Sequence, residues 1–226
     1  MSRANATQDP APFRSSSTPS MADQAYEELR DRLILLDIPP GSAIVESRLS
    51  TELGVGRTPI REALKRLEGD HLVQSFPRRG TFATAVDMTQ LVGISQMRRL
   101  LVPLAARSAA EVRGGGAAEP LAVALTGIGE LSNEAPLRDL MAYDLHVHRL
   151  INIASQNPHL EETLIRLDSL VARMWCALLD RLPYVVEHIR EHAALLAAIL
   201  DGDADLAQRL ATEHVAHFED QVRAVL

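Results

Sequence analysis

The sequence predicts a mainly α-helical protein with an N-terminal winged helix-turn-helix and a C-terminal, all-α antiparallel helical bundle. Three observations predict this fold. The chain of 226 residues is 46% hydrophobic but only 4% aromatic, which is typical of soluble, mainly helical proteins. Residues 21–86 show three short helical patterns followed by two strand-like ones. From residue 87 onward the pattern is helical with short breaks.

The first helix is predicted to begin at Met21, after a polar, Pro- and Ser-rich segment of residues 1–20 that we expect to be a disordered tail. Its apolar residues fall at helical spacing: Tyr26, Leu29, Leu33 and Leu36. The sequence DIPPG then ends the helix, because two prolines and a glycine do not continue one. A second helix is predicted over residues 47–53, with Gly54 ending it.

A third helix is predicted from Thr58, the expected N-cap, with Pro59 as the first helical residue. Its apolar stripe consists of Ile60, Ala63, Leu64 and Leu67. The segments LVQSF and TFATA are predicted to be strands joined by the turn PRRG. The domain boundary is placed near residues 85–89, which gives domains of residues 21–86 and 87–226.

The second domain is predicted to contain about six helices, separated at RGGGAAEP, NEAP, NP, LP and DGD. Short connections of this kind imply antiparallel neighbours in a bundle. Trp175 and Met174 are expected in its core, and the single cysteine, Cys176, is expected to be a buried small apolar residue. No apolar run approaches the ~20 residues that span a bilayer, so no membrane partner is expected.

Charge is distributed unevenly along the chain, whose formal net charge is −7. Residues 1–86 are neutral, with 11 basic and 11 acidic residues, whereas residues 87–226 hold 12 and 19. Between Gly56 and Phe82, however, the sequence contains six basic residues and only three acidic ones. A cationic patch on an acidic protein indicates a localised site for a polyanion.

The basic residues of the third helix and the following turn are placed as a DNA reader requires. Arg57 and Thr58 lie at the helix N-terminus, which favours phosphate, and Arg61 is placed to reach base edges in a major groove. The candidate DNA-binding residues are Arg57, Thr58, Arg61, Lys65, Arg78, Arg79 and Gly80. The alternative is a solvated helix face on which the cations pair with neighbouring glutamates.

The segment LSTELGVGRTPIREALKRLEGDHLVQSFPRRGTF resembles the DNA-binding domain of GntR-type bacterial transcription regulators. This resemblance implies DNA contact by Arg57, Thr58 and Arg61 and by the wing around Arg79 and Gly80. Two departures stand out. Gly56 replaces the usual serine and removes a hydroxyl, and His71 replaces the usual glycine, so a different local backbone is expected there.

Histidines and one aspartate mark the helical half. Asp144 and His148 are spaced i, i+4 and share a helix face, while His146 should point away from it. Two histidine pairs come level across the DGD turn, His192 with His214 and His188 with His217, and spacing does not choose between them. One carboxylate with three imidazoles suits Zn²⁺ or another first-row divalent ion.

The C-terminal half resembles the FCD effector domain of the FadR branch of the same family, on the marks Asp-x-x-x-His, Asn157–Pro158 and a later Glu-His. The resemblance selects the metal ligands Asp144, His148, His192 and His214 and implies a divalent ion, with Zn expected first and Ni or Mn as alternatives. It also places Arg98 against the carboxylate of an effector. Because Val102 stands where the family has Glu, Arg98 is expected either to have one intramolecular competitor fewer or to be less fixed in orientation.

Together these features predict a ligand-responsive regulator, most simply a repressor in the bacterial cytoplasm. We expect a homodimer that binds a pseudo-palindromic operator in double-stranded DNA and a small organic acid as effector. A purely structural metal, with the effector absent or bound elsewhere, is the alternative. A metal-dependent hydrolase is a remote third reading, because the sequence holds no additional positioned general base and no hydrolase motif.

Overall fold

The computed structural model describes residues 19–181 and 185–225. In the N-terminal part of that range the elements are α1 (Met21–Ile34), β1 (Ala43–Ile44), α2 (Glu46–Leu53), α3 (Arg57–Gly69), β2 (Val73–Phe76) and β3 (Gly80–Ala83). The helices that follow are α4 (Leu91–Glu111), α5 (Ala118–Gly129), α6 (Leu137–Ala154), α7 (Pro158–Cys176), α8 (Val185–Asp201) and α9 (Ala204–Val225). Single 3₁₀ turns cover Met88–Gln90, Gly115–Ala117 and Leu179–Arg181. Of the predicted disordered tail, residues 1–18 lie outside the described range.

The three N-terminal helices form where the sequence predicts them, with corrections at two ends. Ser20 caps α1 in a reciprocal pair of hydrogen bonds with Asp23, which satisfies backbone N–H groups that α1 would otherwise leave free. The helix ends at Ile34, so Leu36 lies outside it, with φ 62°. The predicted N-cap Thr58 is wrong, because the cap is Gly56 and Thr58 is already the second helical residue.

These helices enclose a small apolar core. The predicted stripe of α3, which is Ile60, Ala63, Leu64 and Leu67, is buried against α1 and α2. His71 adopts a left-handed conformation with φ 62°, the conformation that glycine takes most easily. The histidine at this departure therefore adopts a backbone conformation that is strained for it and unstrained for glycine.

The wing is a three-stranded antiparallel sheet in the order β1-β3-β2. The two predicted strands pair from Val73–Ala83 to Phe76–Gly80. The additional strand β1, which the sequence pattern did not predict, pairs Ala43 with Phe82. This third strand ties the wing to the chain that connects α1 with α2.

Six helices of the second domain, α4 to α9, form the predicted bundle. α4 packs against α6, α7, α8 and α9, and the pairs α6–α7 and α8–α9 pack across short connections. Trp175 and Met174 are buried as predicted, whereas Cys176 is only partly buried. Among the described helices, none combines the length and apolarity that crossing a membrane requires.

The two domains contact each other through arginines on α6 and α7. Arg149 of α6 donates two hydrogen bonds to the Asp31 carboxylate of α1. Arg173 of α7 is buried and donates 2.6 Å hydrogen bonds to the hydroxyl and the carbonyl of Thr84, directly after β3. Thr84 in turn donates to the Leu72 carbonyl at the start of the wing. The base of the wing is therefore anchored on α7.

Candidate DNA-facing surface and buried histidine cluster

The predicted DNA-binding residues are all exposed to solvent, four of them on α3 and three at the tip of the wing. The apolar residues of α3 are buried along one side of the helix, so helical spacing places its basic residues on the solvent-facing side. The exposed residues are Arg57, Thr58, Arg61, Lys65, Arg78, Arg79 and Gly80. Arg61 is 67% exposed, and its Nε lies 2.7 Å from the Glu46 carboxylate at the start of α2. This pair orients Arg61 while leaving most of the guanidinium in solvent.

The tip of the wing is a tight turn closed by a hydrogen bond from the Arg79 N–H to the Phe76 carbonyl, 3.1 Å. Arg78 has φ 65° and Gly80 has φ 94°. A left-handed conformation is strained for an arginine and unstrained for glycine. Arg78 therefore adopts a strained backbone conformation in the turn that places Arg78 and Arg79 at the tip of the hairpin.

Four imidazoles are buried together in the helical domain. His148 of α6 and His192 of α8 place their Nε2 atoms 3.3 Å apart, and the His192 and His214 ring centres are 4.2 Å apart. Ligand atoms of His148, His192 and His214 all lie within 4.8 Å of one another. His188 also belongs to the cluster, with its ring centre 4.3 Å from that of His214. The predicted trio thus comes together, with a fourth histidine beside it.

The remaining acidic and histidine residues take distinct places. The Asp144 carboxylate lies 3.7 Å from His148 Nε2 and 3.8 Å from His192 Nδ1, at the edge of the trio. His217, which spacing left as the partner of His188, is 55% exposed. His146 points to solvent beside Tyr143, as predicted.

Burial controls the protonation of this cluster. Desolvation, reinforced by the neighbouring imidazoles, holds the pKa of His148 and of His188 well below the usual value. Burial and the nearby His214 do the same to the pKa of His192, and burial lowers the pKa of His214 to about 3. Burial raises the pKa of Asp144 to about 7, and the Arg98 charge opposes that rise. The histidines are therefore neutral near pH 7, the state in which imidazole binds a metal.

The cluster fits a divalent cation on the chemistry of its donors. His192 Nδ1 lies 3.1 Å from the Ile189 carbonyl, so Nδ1 carries the proton and Nε2 keeps a lone pair toward His148. The buried oxygen Asp144 Oδ1 has no hydrogen-bond partner in the described part of the chain. Converging imidazole nitrogens beside an unsatisfied carboxylate oxygen are the donor set that Zn²⁺ and related ions prefer.

Arg98 is buried beside the cluster, with 4% of its side chain exposed, and it does have an internal carboxylate partner. Its Nε donates a 2.8 Å hydrogen bond to Asp168 on α7. The other oxygen of Asp168 accepts from the Asn152 amide. The expectation that Arg98 has one intramolecular carboxylate competitor fewer is therefore wrong. Asp168 on α7 supplies the carboxylate that position 102 on α4 lacks. Arg98 Nη1 is buried with no hydrogen-bond partner among the described residues.

A narrow cavity lies between Arg98 and the histidines. It is lined in part by Asp144, His148, Trp175 and His188, and its volume is about 10 Å³. That volume is at the lower limit for a single water molecule. Trp175 Nε1 and His188 Nδ1 are also buried polar atoms that lack a partner within the described ranges. The cavity therefore combines an apolar lining with a few buried polar atoms.

Two family profiles match the chain. Residues 21–83 match the profile of bacterial regulatory proteins of the gntR family, and residues 93–217 match the FCD domain. The second match alone covers more than half of the chain.

Relatives that match the chain over most of their length are named as HTH-type transcriptional regulators. The HTH-type transcriptional repressor RspR of Escherichia coli is 25% identical over 208 residues, covering 92% of this chain and 91% of its own length. The transcriptional regulator YdhC of Bacillus subtilis is 26% identical over 216 residues, covering 90% and 91%.

Solved structures share the fold. E. coli McbR/YncC superposes with a TM-score of 0.77 at 22% identity, covering 91% of this chain and 98% of that one. A GntR regulator from Rhodococcus superposes with a TM-score of 0.65 at 22% identity, covering the same shares. The two profile matches show that the chain belongs to the gntR family of bacterial regulatory proteins, in the branch with an FCD domain, and is a DNA-binding transcriptional regulator rather than an enzyme.

Proposed function

We propose that this regulator is a metal-containing, metabolite-responsive repressor that acts as a homodimer in the bacterial cytoplasm. Residues 21–86 form its DNA-binding domain and residues 87–226 its sensing and dimerisation domain. A twofold dimer presents one α3 to each half of a pseudo-palindromic operator. The proposal that it represses transcription rests on its similarity to RspR, which is named a transcriptional repressor. The observation that carries the metal function is the convergence of His148 and His192 Nε2, 3.3 Å apart, beside Asp144.

DNA contact is assigned to the exposed cationic surface. The first helical residues of α3, Arg57 and Thr58, leave backbone N–H groups free for a phosphate. Arg61, one turn further, projects toward base edges, and Lys65 follows on the same face. Arg78, Arg79 and Gly80 form the wing contact with the sugar–phosphate backbone or the minor groove.

Substitution of Arg61 tests base reading. Arg61→Ala is expected to weaken binding to the preferred operator by about 1–3 kcal/mol and to relax base preference at one position of each half-site. The measurement is fluorescence anisotropy with duplexes varied at single positions. Glu46→Ala is the matched control, since it frees Arg61 from its partner but keeps the guanidinium. Unchanged affinity and preference in Arg61→Ala would remove this residue from the reading surface.

Substitution at the wing separates stability from DNA contact. Arg78→Gly removes a cation and relieves a left-handed conformation that costs a non-glycine residue about 1 kcal/mol. We expect an unchanged or slightly higher melting temperature. Binding to operator and random DNA should weaken alike, with a salt slope smaller by about one. Arg78→Lys keeps the charge and is the control; affinity equal to that of the parent at every salt concentration would contradict the wing assignment.

The metal is assigned to Asp144, His148, His192 and His214, with Zn²⁺ as the first choice and Ni²⁺ or Mn²⁺ as alternatives. A bound divalent ion supplies a positive charge and a coordination position for an oxygen of the effector. Asp144 would give up its proton in such a site and would offer Oδ2, which lies 3.7 Å from His148 Nε2, to the cation. His188 remains a neighbour whose aromatic contacts with Trp175 and Phe218 support the site from one side.

The effector is assigned to the same cavity, as a small carboxylate. Arg98 Nη1 is a buried donor without a partner in the described chain, and it lines the cavity that Asp144 and His148 also line. A carboxylate that reaches Arg98 is therefore also adjacent to the metal position. Because the cavity volume is only about 10 Å³, entry of an organic acid requires that the surrounding helices move.

This requirement suggests how the two domains are coupled. On α6, His148 is followed directly by Arg149, which binds Asp31 of α1. On α7, Trp175 lines the cavity and Arg173 holds the base of the wing. A shift of α6 or α7 on effector entry is transmitted to the DNA-binding domain through these two arginines. Couplings of this kind are typically worth about 1–3 kcal/mol.

A purely structural metal is the alternative, and the small cavity favours it. Thermal unfolding with and without chelator, each repeated with a series of small carboxylic acids, distinguishes the two. Sensing predicts that certain carboxylates stabilise the metal-loaded protein and lose that effect with chelator. A structural metal predicts stabilisation by metal alone. If His192→Ala and His214→Ala retain the metal stoichiometry of the parent, the ligand assignment is wrong.

A further inference from the structure

Glu191 is a carboxylate that contacts the histidine cluster from outside. It precedes His192 on α8, and 29% of its side chain is exposed. Its Oε2 lies 3.0 Å from His214 Nδ1 and 3.8 Å from His188 Nδ1, and its Oε1 is hydrogen-bonded to His217 Nδ1. One carboxylate thus links the buried cluster to an exposed histidine.

These contacts determine which nitrogen of His214 carries the proton. With Glu191 Oε2 as the acceptor, His214 donates from Nδ1. In the neutral ring, Nε2 then keeps its lone pair. The Ile189 carbonyl imposes the same tautomer on His192. Two of the three imidazoles proposed as metal ligands therefore have an outer acceptor that leaves the opposite nitrogen free for a metal.

The outer face of Glu191 is itself held. Its partner His217 accepts or donates at Nε2 with the Gln221 side-chain amide, 3.2 Å away on the same helix. Because His217 donates from Nδ1 to Glu191, its Nε2 accepts from that amide. The order Gln221, His217, Glu191, His214 forms a chain of hydrogen bonds from the surface of α9 to the cluster.

We propose that Glu191 is a positioning residue for the metal centre: it fixes the tautomer and ring orientation of His214 and increases the basicity of its Nε2. This inference rests on the proposed metal function. Carboxylate–histidine pairs behind metal ligands do this in other proteins, where their loss typically lowers metal affinity about 10–100-fold.

The test compares the intact parent with Glu191→Ala, Glu191→Gln and the control Glu187→Ala. Glu187 is exposed and lies one turn before Glu191 on α8. Glu187→Ala therefore removes the same charge from the same helix as Glu191→Ala. Zn²⁺ affinity is measured by competition with a chelator. We expect about a 10–100-fold loss for Glu191→Ala, a smaller loss for Glu191→Gln, which keeps an acceptor oxygen, and no change for Glu187→Ala.

Two spectroscopic readouts distinguish positioning from other roles. Nitrogen-15 NMR of the metal-free protein should show His214 protonated at Nδ1 in the parent and in Glu187→Ala, and a mixture of tautomers in Glu191→Ala. With Co²⁺ in place of Zn²⁺, the visible absorption bands of parent and Glu191→Gln should have the same shape, because the ligands are unchanged. A changed band shape in Glu191→Gln would make Glu191 a direct ligand and overturn the proposal.

The outcomes also separate this inference from the metal assignment. If the parent binds Zn²⁺ and Glu191→Ala binds it equally well, the positioning role is wrong and the metal centre stands. If the parent binds none of these ions, the proposed metal function fails. In that case the His214 tautomer in the metal-free protein still decides whether Glu191 orients this ring, and an unchanged tautomer in Glu191→Ala contradicts it.

Discussion

Acidification from pH 7 to pH 5 is expected to lower the free energy of unfolding of the metal-free protein by several kcal/mol. The buried histidines are His148, His188, His192 and His214. Burial lowers all four pKa values below the usual 6.5, and the pKa of His214 is about 3. Unfolding restores ordinary pKa values, so each ring takes up a proton below pH ~6.5. The stability conferred by neutral histidines is present above that pH and is lost as the pH falls.

Asp144 acts in the opposite direction. Because its pKa in the folded protein is about 7, it holds a proton at pH 5 that the unfolded chain releases. Four histidines against one aspartate leave a net uptake of about three protons on unfolding near pH 5. At about 1.4 kcal/mol per proton and pH unit, the slope is on the order of 4 kcal/mol per pH unit. This pH dependence disappears once the pH falls below the folded-state pKa values of the histidines, because the folded protein then binds the same protons.

Urea unfolding with chelator at pH 7, 6 and 5 measures this slope. His188→Leu should reduce it by about one proton, since that ring no longer titrates on unfolding. His146→Gln, at an exposed position, should leave the slope unchanged. A free energy of unfolding that stays constant between pH 7 and pH 5 would show that the buried histidines are not held neutral.

Loss of the Asp168 charge is expected to destabilise the helical domain by about 3–5 kcal/mol, because it leaves Arg98 as a buried charge without its partner. Asp168→Asn keeps the shape of the side chain and removes only the charge. The double variant Arg98→Met/Asp168→Leu should recover most of the loss, since a buried ion pair replaced by apolar residues is often neutral. Urea unfolding of the metal-free protein at pH 7 provides the measurement.

The control for this prediction is Asp220→Asn, the same change at an exposed position of α9. Asp168→Ala adds a test of Arg98 as a carboxylate receptor, because it opens space beside the guanidinium. Formate or acetate should stabilise Asp168→Ala more than the parent. A loss of less than about 1 kcal/mol in Asp168→Asn would mean that Arg98 finds another counter-charge.

The fold follows from the sequence where the apolar periodicity is strong. The stripe of α3 is unambiguous, and its residues are buried as predicted. The sequence predicts the wrong start for α3 because Gly56 caps the helix without a side-chain hydrogen bond. A glycine cap has no sequence signature here, whereas Thr58 is a residue type that often caps helices. The strand β1 is two residues long, which is too short for alternation to be seen.

The candidate site was predictable only where spacing determines geometry. Asp144 and His148, at i and i+4, do share a buried face of α6. Across the turn between α8 and α9, spacing left two histidine pairs open, because register between two helices depends on their packing. Asp168 was missed, although a lone carboxylate inside the apolar pattern of α7 signals a buried partner. The sequence alone does not show that this partner is Arg98, 70 positions away.

Selection of duplexes from a random pool by the intact, metal-loaded protein tests the central claim most directly. The affinity of the enriched duplex is then measured with metal, with chelator and with added carboxylates. The proposal predicts enrichment of two inverted half-sites and an affinity that changes about 5–150-fold among these conditions, while binding to random DNA stays constant. Failure to enrich any duplex, or an enriched duplex whose affinity is the same in all three conditions, would contradict control of DNA reading by the buried cluster.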